Sequence, residues 1–123
     1  VGGIVPGYEM GRAMCLPAMY VERENGVFVL RRGFHLDKTM RVLIVEDIVT
    51  TGLSSREYIE AVKATGAKVA AEACLIDRSG GKAKLGVKLI ALASLKIPAW
   101  EADKLPPHLA GTPAVKPGSR GLA

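Results

Sequence analysis

Four consecutive apolar residues, Val42-Leu43-Ile44-Val45, followed at once by Glu46-Asp47, constrain this chain more than any other feature. An unbroken apolar run is what a strand covered on both faces requires, whereas a strand with one wet face alternates. Arg41–Val45 is therefore expected to be a strand that stops abruptly at the two acids. Strands of that kind belong to parallel sheets sandwiched between helices, so the expected class is α/β, with a mostly parallel sheet flanked by helices. Composition agrees. With 49% apolar and 24% charged residues, the chain has enough apolar surface to rule out disorder. Aromatic residues are few, so Val, Ile, Leu, Ala and Met must build the core.

The segments around this strand follow the same logic. Downstream, Thr50-Thr51-Gly52 leads into a helix, and Ser54-Ser55-Arg56-Glu57 reads as a capping box with Ser54 as N-cap and Glu57 at N3. Tyr58, Ile59 and Val62 line one apolar face, and Gly66 supplies the stop. Lys68–Ile76 is the next strand, running into a flexible loop at Asp77-Arg78-Ser79-Gly80-Gly81, and Val87–Leu95 holds the last strand. Residues 96–123 read as an irregular C-terminal tail, because Pro98, Pro106, Pro107, Pro113 and Pro117 exclude long helices.

Upstream, Gly2-Gly3 and Pro6-Gly7 are turn chemistry, Tyr8–Leu16 is a short helix ended by Pro17, and Ala18–Glu22 is a short buried strand. Glu24-Asn25-Gly26 is a hairpin corner inside an excursion, Arg23–Arg41, that is expected to be exposed and mobile. The whole reads as one domain over residues 1–123. Its opening glycine pair looks like the end of a strand-to-loop turn whose strand is absent, so an N-terminal part is expected to be missing.

The formal net charge of +5 admits either a solvated basic surface or an anionic ligand. Nucleic acid is disfavoured as a partner, since aromatics are not interleaved with the basic residues and no binding motif occurs. Cys15 and Cys74 lack metal-ligand spacing and lie among apolar residues, which predicts buried free thiols in a reducing compartment. No signal peptide is evident and the longest apolar run is far too short for a bilayer, so a cytoplasmic protein without a membrane partner is expected.

The chemistry concentrates in Glu46-Asp47-Ile48-Val49-Thr50-Thr51-Gly52-Leu53-Ser54. In open α/β sheets ligands bind at the carboxyl ends of strands. Adjacent buried acids repel unless hydroxyls or a cation partner them. The free N–H groups and dipole of the following helix attract a phosphate, Thr50, Thr51 and Ser54 can add hydroxyls, and Gly52 permits close backbone approach. The acids can hold a sugar diol and the loop a terminal phosphate, with roughly one sugar between them at about 3.3 Å per extended residue. Any one of these parts alone would be a solvated strand end or an ordinary capped helix. Their fixed order carries the reading.

This string resembles the phosphoribosyl pyrophosphate motif of type I phosphoribosyltransferases. Gly2–Glu9, Phe28–Phe34, Asp77–Ala83 and Pro113–Arg120 further resemble the orotate branch of that family. The resemblance implies the type I phosphoribosyltransferase fold and transfer of phosphoribosyl from phosphoribosyl pyrophosphate to orotate. The products are orotidine 5′-monophosphate and pyrophosphate, in de novo pyrimidine synthesis. It further implies Mg²⁺ bound mainly through the substrate rather than by protein ligands, and a homodimer.

Carried over by residue, Arg23 and Glu46 to Ser54 would bind the phosphoribosyl donor. Thr50 and Arg78 would contact orotate, Arg78 offering its planar fork to the carboxylate. Glu46, Asp47, Arg31 and Arg32 would be catalytic. The excursion would be the family's mobile catalytic loop, with His35 a weaker candidate cation. Here Arg-Arg stands where many members place Lys and His in another arrangement, and Leu53 stands where many have a small residue. Two alternatives stay open: a phosphoribosyltransferase acting on a different base, or a non-catalytic nucleotide sensor on the same fold.

Overall fold

Strand β3 (Arg41–Val49) does not stop at its acids. It runs on to Val49 as the first strand of a three-stranded parallel sheet, ordered β3-β4-β5 with β4 (Lys68–Asp77) and β5 (Leu89–Ser94). The extension has a non-local cause. Glu46 pairs with Cys74, Ile48 with Ile76 and Val49 with Asp77, so β4 supplies partners that a reading along the chain could not see. The computed structural model describes residues 2–98, 100–101, 103–113 and 115. The expectations for Ala114, Lys116, Pro117, Gly118, Ser119 and Arg120 lie outside these residues.

Two helices cover the sheet. Side chains alternate across a strand, so Ile44 and Val45 face opposite layers. Helix α1 (Ile4–Met14) approaches through Gly7 on the Val45 side, and helix α2 (Leu53–Ala64) packs on the Ile44 side. Buried Ile44, Ile59 and Leu85 form the centre of the core, flanked by Val42, Tyr58, Val69 and Leu89. The mostly parallel α/β class is thus the observed one.

Leu85 reaches the core from residues 78–88, a connection between two parallel strands that contains no helix. Parallel strands usually need a helical crossover. Here an apolar side chain from irregular backbone does the covering.

Several local expectations change. Helix α1 starts at Ile4 rather than Tyr8, because Pro6 lies in the first turn, where its missing N–H has no intrahelical partner to lose. It ends before Pro17, at Cys15 in the left-handed conformation (φ 54°), with the Leu16 amide bonded to the Gly11 carbonyl. Cys15 is consequently exposed, while Cys74 is buried as expected.

The short strand shifts to Val21–Glu24 (β1) and is only partly buried. It pairs antiparallel with β2 (Val27–Leu30) around Asn25-Gly26, both at positive φ, as a two-residue hairpin turn demands. This hairpin is docked rather than free-standing. Phe28 packs on Tyr58 of α2 at 4.3 Å between ring centroids, and Arg23 pairs with Glu57 at 2.6 Å while lying over the Phe28 ring.

Candidate functional site

The end of β3, the turn at residues 50–52 and the start of α2 form one corner. The expected capping box does not form. Gly52 is the N-cap, left-handed at φ 74°, and no side chain caps the helix. Ser54 is displaced into the first turn and left exposed, Glu57 is drawn away to Arg23, and Thr50 and Thr51 are exposed. Gly52 itself is buried, and a Cβ there would stand 2.5 Å from Leu85 Cδ2. Only glycine meets both the φ and the space. The outcome is a helix start with no capping side chain at Gly52 and with Thr50, Thr51 and Ser54 exposed around it, the Leu53 amide donating weakly to Thr51 Oγ1 at 3.4 Å, an arrangement that suits an anionic ligand. Leu53, the first residue of the helix, is 60% exposed.

The two acids have different surroundings. Glu46 is half-buried beside Tyr58, and its carboxyl is held above the usual range chiefly by burial, with the neighbouring Asp47 charge adding to the effect and the Tyr58 hydroxyl opposing it. Tyr58 is itself pushed up, first by burial and then by Glu46. Asp47 accepts the Ile48 amide at 2.8 Å. Gly2 and Gly3 lie directly over the pair: a Cβ on Gly2 would collide with the Asp47 carboxylate, and one on Gly3 would stand 2.7 Å from the Val45 carbonyl oxygen. The opening glycines form a turn into α1, as expected, and that turn packs closely against the acid pair.

Arg78 is brought to the same corner, since its amide donates to the Val49 carbonyl at 2.8 Å. Its guanidinium Nε is buried without a hydrogen-bond partner. An unpaired buried donor costs about 1–3 kcal/mol, so this geometry favours a bound acceptor.

The hairpin cations are placed differently. Arg32 pairs with Glu22 at 2.9 Å, and Arg31 lies 3.7 Å from Glu24. Arg23 is engaged with Glu57 and the Gly26 carbonyl. All three are thus held by groups of the hairpin and α2.

Reading along the sequence missed a buried pair beneath the cradle. Glu72 on β4 is fully buried and accepts a hydrogen bond from Ser55 Oγ at 2.6 Å, tying the first turn of α2 to the sheet. Its other oxygen has no partner. Burial, assisted by Glu46, raises the Glu72 carboxyl above its ordinary 4.5, against the Ser55 bond. The stability that this group contributes is full below that ordinary value and is lost as pH rises through the raised one. Glu72→Gln is expected to remove this pH dependence and to stabilise the intact protein at neutral pH by about 1 kcal/mol, read from urea midpoints at acidic and neutral pH.

The phosphoribosyl transferase domain family matches residues 16–93, well over half of the chain. This chain belongs to that family. It is 72% identical over its whole length to an orotate phosphoribosyltransferase of Parvibaculum lavamentivorans and 69% identical over 122 residues to one of Maricaulis maris. The chain spans 63% of the length of each of those relatives. Among solved structures, the orotate phosphoribosyltransferase from Aeropyrum pernix superposes with a TM-score of 0.61 at 28% identity, covering 78% of this chain and 57% of that one. The UMP synthase of Leishmania donovani gives 0.55 at 30% identity, covering 72% and 20%. The three-stranded parallel sheet with its helices is thus part of a type I phosphoribosyltransferase fold. No helix among the described residues is long and apolar enough to cross a membrane.

Proposed function

We propose that the protein carrying this chain is an orotate phosphoribosyltransferase. The observation that carries the reading is the seating of Arg78, with its buried unpartnered Nε, beside a pair of acids and an uncapped helix start. The amides and hydroxyls of Thr50 to Ser54 take the 5′-phosphate, and Glu46 and Asp47 hold the ribose hydroxyls. Arg78, with Thr50, meets the orotate carboxylate. In the reaction the bond from the anomeric carbon to pyrophosphate breaks with its electron pair leaving on the phosphate oxygen. A bond to the pyrimidine nitrogen forms, and that nitrogen's proton passes to solvent. Positive charge builds on the ribose, where the two carboxylates oppose it electrostatically.

Among the described residues no cluster of three or more His, Cys, Asp or Glu side chains could hold a metal. Mg²⁺ keeps several waters and takes one or two carboxylates, so Glu46 and Asp47 are the residues that would hold an ion arriving on the substrate's phosphates. When bound it would neutralise charge on the departing pyrophosphate. Arg31 and Arg32 are assigned to the same leaving group, after release from Glu22 and Glu24, and Arg23 stays with the donor side. The proposal includes a homodimer in the cytoplasm, on the strength of the family likeness.

The test is turnover of orotate, uracil, adenine and hypoxanthine by the intact protein. Orotate alone should be converted, and preference for another base would overturn the reading. Arg78→Ala should raise the KM for orotate by about tenfold to a hundredfold, the range for loss of a charge-assisted hydrogen bond, and leave the KM for phosphoribosyl pyrophosphate nearly unchanged. Equal effects on both substrates would remove Arg78 from the base site.

A further inference from the structure

The segment after β4 looks flexible in sequence, with two consecutive glycines, yet one buried side chain ties it down from several sides. Asp77 is 3% exposed. Its Oδ1 accepts the Ser79 amide at 2.8 Å and the Ser79 hydroxyl at 2.6 Å. Its Oδ2 accepts the Gly81 amide at 2.8 Å and the Ser94 hydroxyl at 3.2 Å. Ser79 Oγ also accepts the Ala83 amide at 3.0 Å, which carries the constraint past the glycines. Gly80 and Gly81 stand at positive φ, 61° and 82°, so the backbone can fold back over the carboxylate. The Asp77 backbone is equally fixed, its carbonyl accepting the Leu95 amide at 2.8 Å. These donors hold the carboxyl below the usual carboxylate range, the Ser79 hydroxyl contributing most.

Arg78 is the residue enclosed by these bonds. It lies between the anchored Asp77 and the captured Ser79, and its own amide is held by Val49. We propose that Asp77 is a positioning residue for base recognition, a carboxylate whose four accepted hydrogen bonds hold Arg78 in place beside the cradle. This rests on the orotate reading of the site. The chemistry is specific to a carboxylate, because both oxygens face donors only. An amide at position 77 would turn an NH₂ toward either Ser79 or Gly81 and lose that side of the clamp.

Asp77→Asn and the milder Ser79→Ala are compared with the unmodified intact protein. The expected result is a rise in KM for orotate of about tenfold for Asp77→Asn, the loss of roughly one hydrogen bond's worth of binding, and less for Ser79→Ala. The KM for phosphoribosyl pyrophosphate should stay within about twofold in both, a split that general loosening of the fold would not produce. Hydrogen exchange at the Ser79 and Gly81 amides should quicken in Asp77→Asn while α2 amides stay protected. Equal changes in both KM values, or an unchanged KM for orotate, would overturn the proposal. Should Asp77→Asn fail to fold, Ser79→Ala carries the same two tests alone. The unmodified protein tests the substrate reading separately. If it converts a different base, the same split must appear in the KM for that base, and its absence would overturn the role of Asp77.

Discussion

Asp47→Asn is expected to lower turnover by about a hundredfold or more while leaving the melting temperature unmoved. The fold is spared because Asp47 is only partly buried and its single strong bond in the chain is from the Ile48 amide, which an asparagine oxygen can still accept. The reaction is not spared. Two unit charges about 4 Å apart at an effective dielectric of about 20 interact by about 4 kcal/mol. Partial charge on the ribose and access of solvent reduce this to roughly 3 kcal/mol, still about a hundredfold in rate. Steady-state kinetics paired with a thermal melt checks both halves. A melting temperature that falls in step with activity would mean that Asp47 serves the fold instead.

Gly52→Val is expected to damage both at once. The left-handed φ of 74° costs an L residue about 1–2 kcal/mol. A Cβ at 2.5 Å from Leu85 and 3.2 Å from the Arg56 guanidinium adds an overpacking penalty of about 1–3 kcal/mol. Out of a total stability of about 5–15 kcal/mol for an ordinary domain, that loss is large. Denaturant unfolding of the intact protein should show it as a lower midpoint, and any folded remainder should bind phosphoribosyl pyrophosphate weakly. Ser54→Ala is the natural control: Ser54 is exposed, so its loss should weaken donor binding without shifting the midpoint.

These two residues also show what could be read from sequence and what could not. The apolar run, the acid pair and the Thr-Thr-Gly turn each follow from a local pattern, and all three proved to lie at one corner. The hairpin was legible for the same reason, since Asn25-Gly26 can turn on its own. What failed depended on distant partners. The strand outruns its acids because β4 pairs with them, and the capping box is lost because Arg23 competes for Glu57 and Gly52 takes the cap. Glu72 reads as an ordinary strand residue until α2 places Ser55 on it, and Asp77 as one more loop acid until the backbone curls round it. A charged residue inside an apolar strand, as Glu72 stands between Ala71 and Ala73, was the signal available for the first of these.

The irregular connection between β4 and β5 joins two duties in a few residues: Leu85 fills the core, and Arg78, held beside Val49, is the residue proposed to face the base. Insertions or deletions there would unseat Leu85 while reshaping the pocket, so loop length offers little freedom for evolving a new specificity. Divergence toward another base should instead proceed by exchange of the side chain at position 78, on a scaffold that stays the same size.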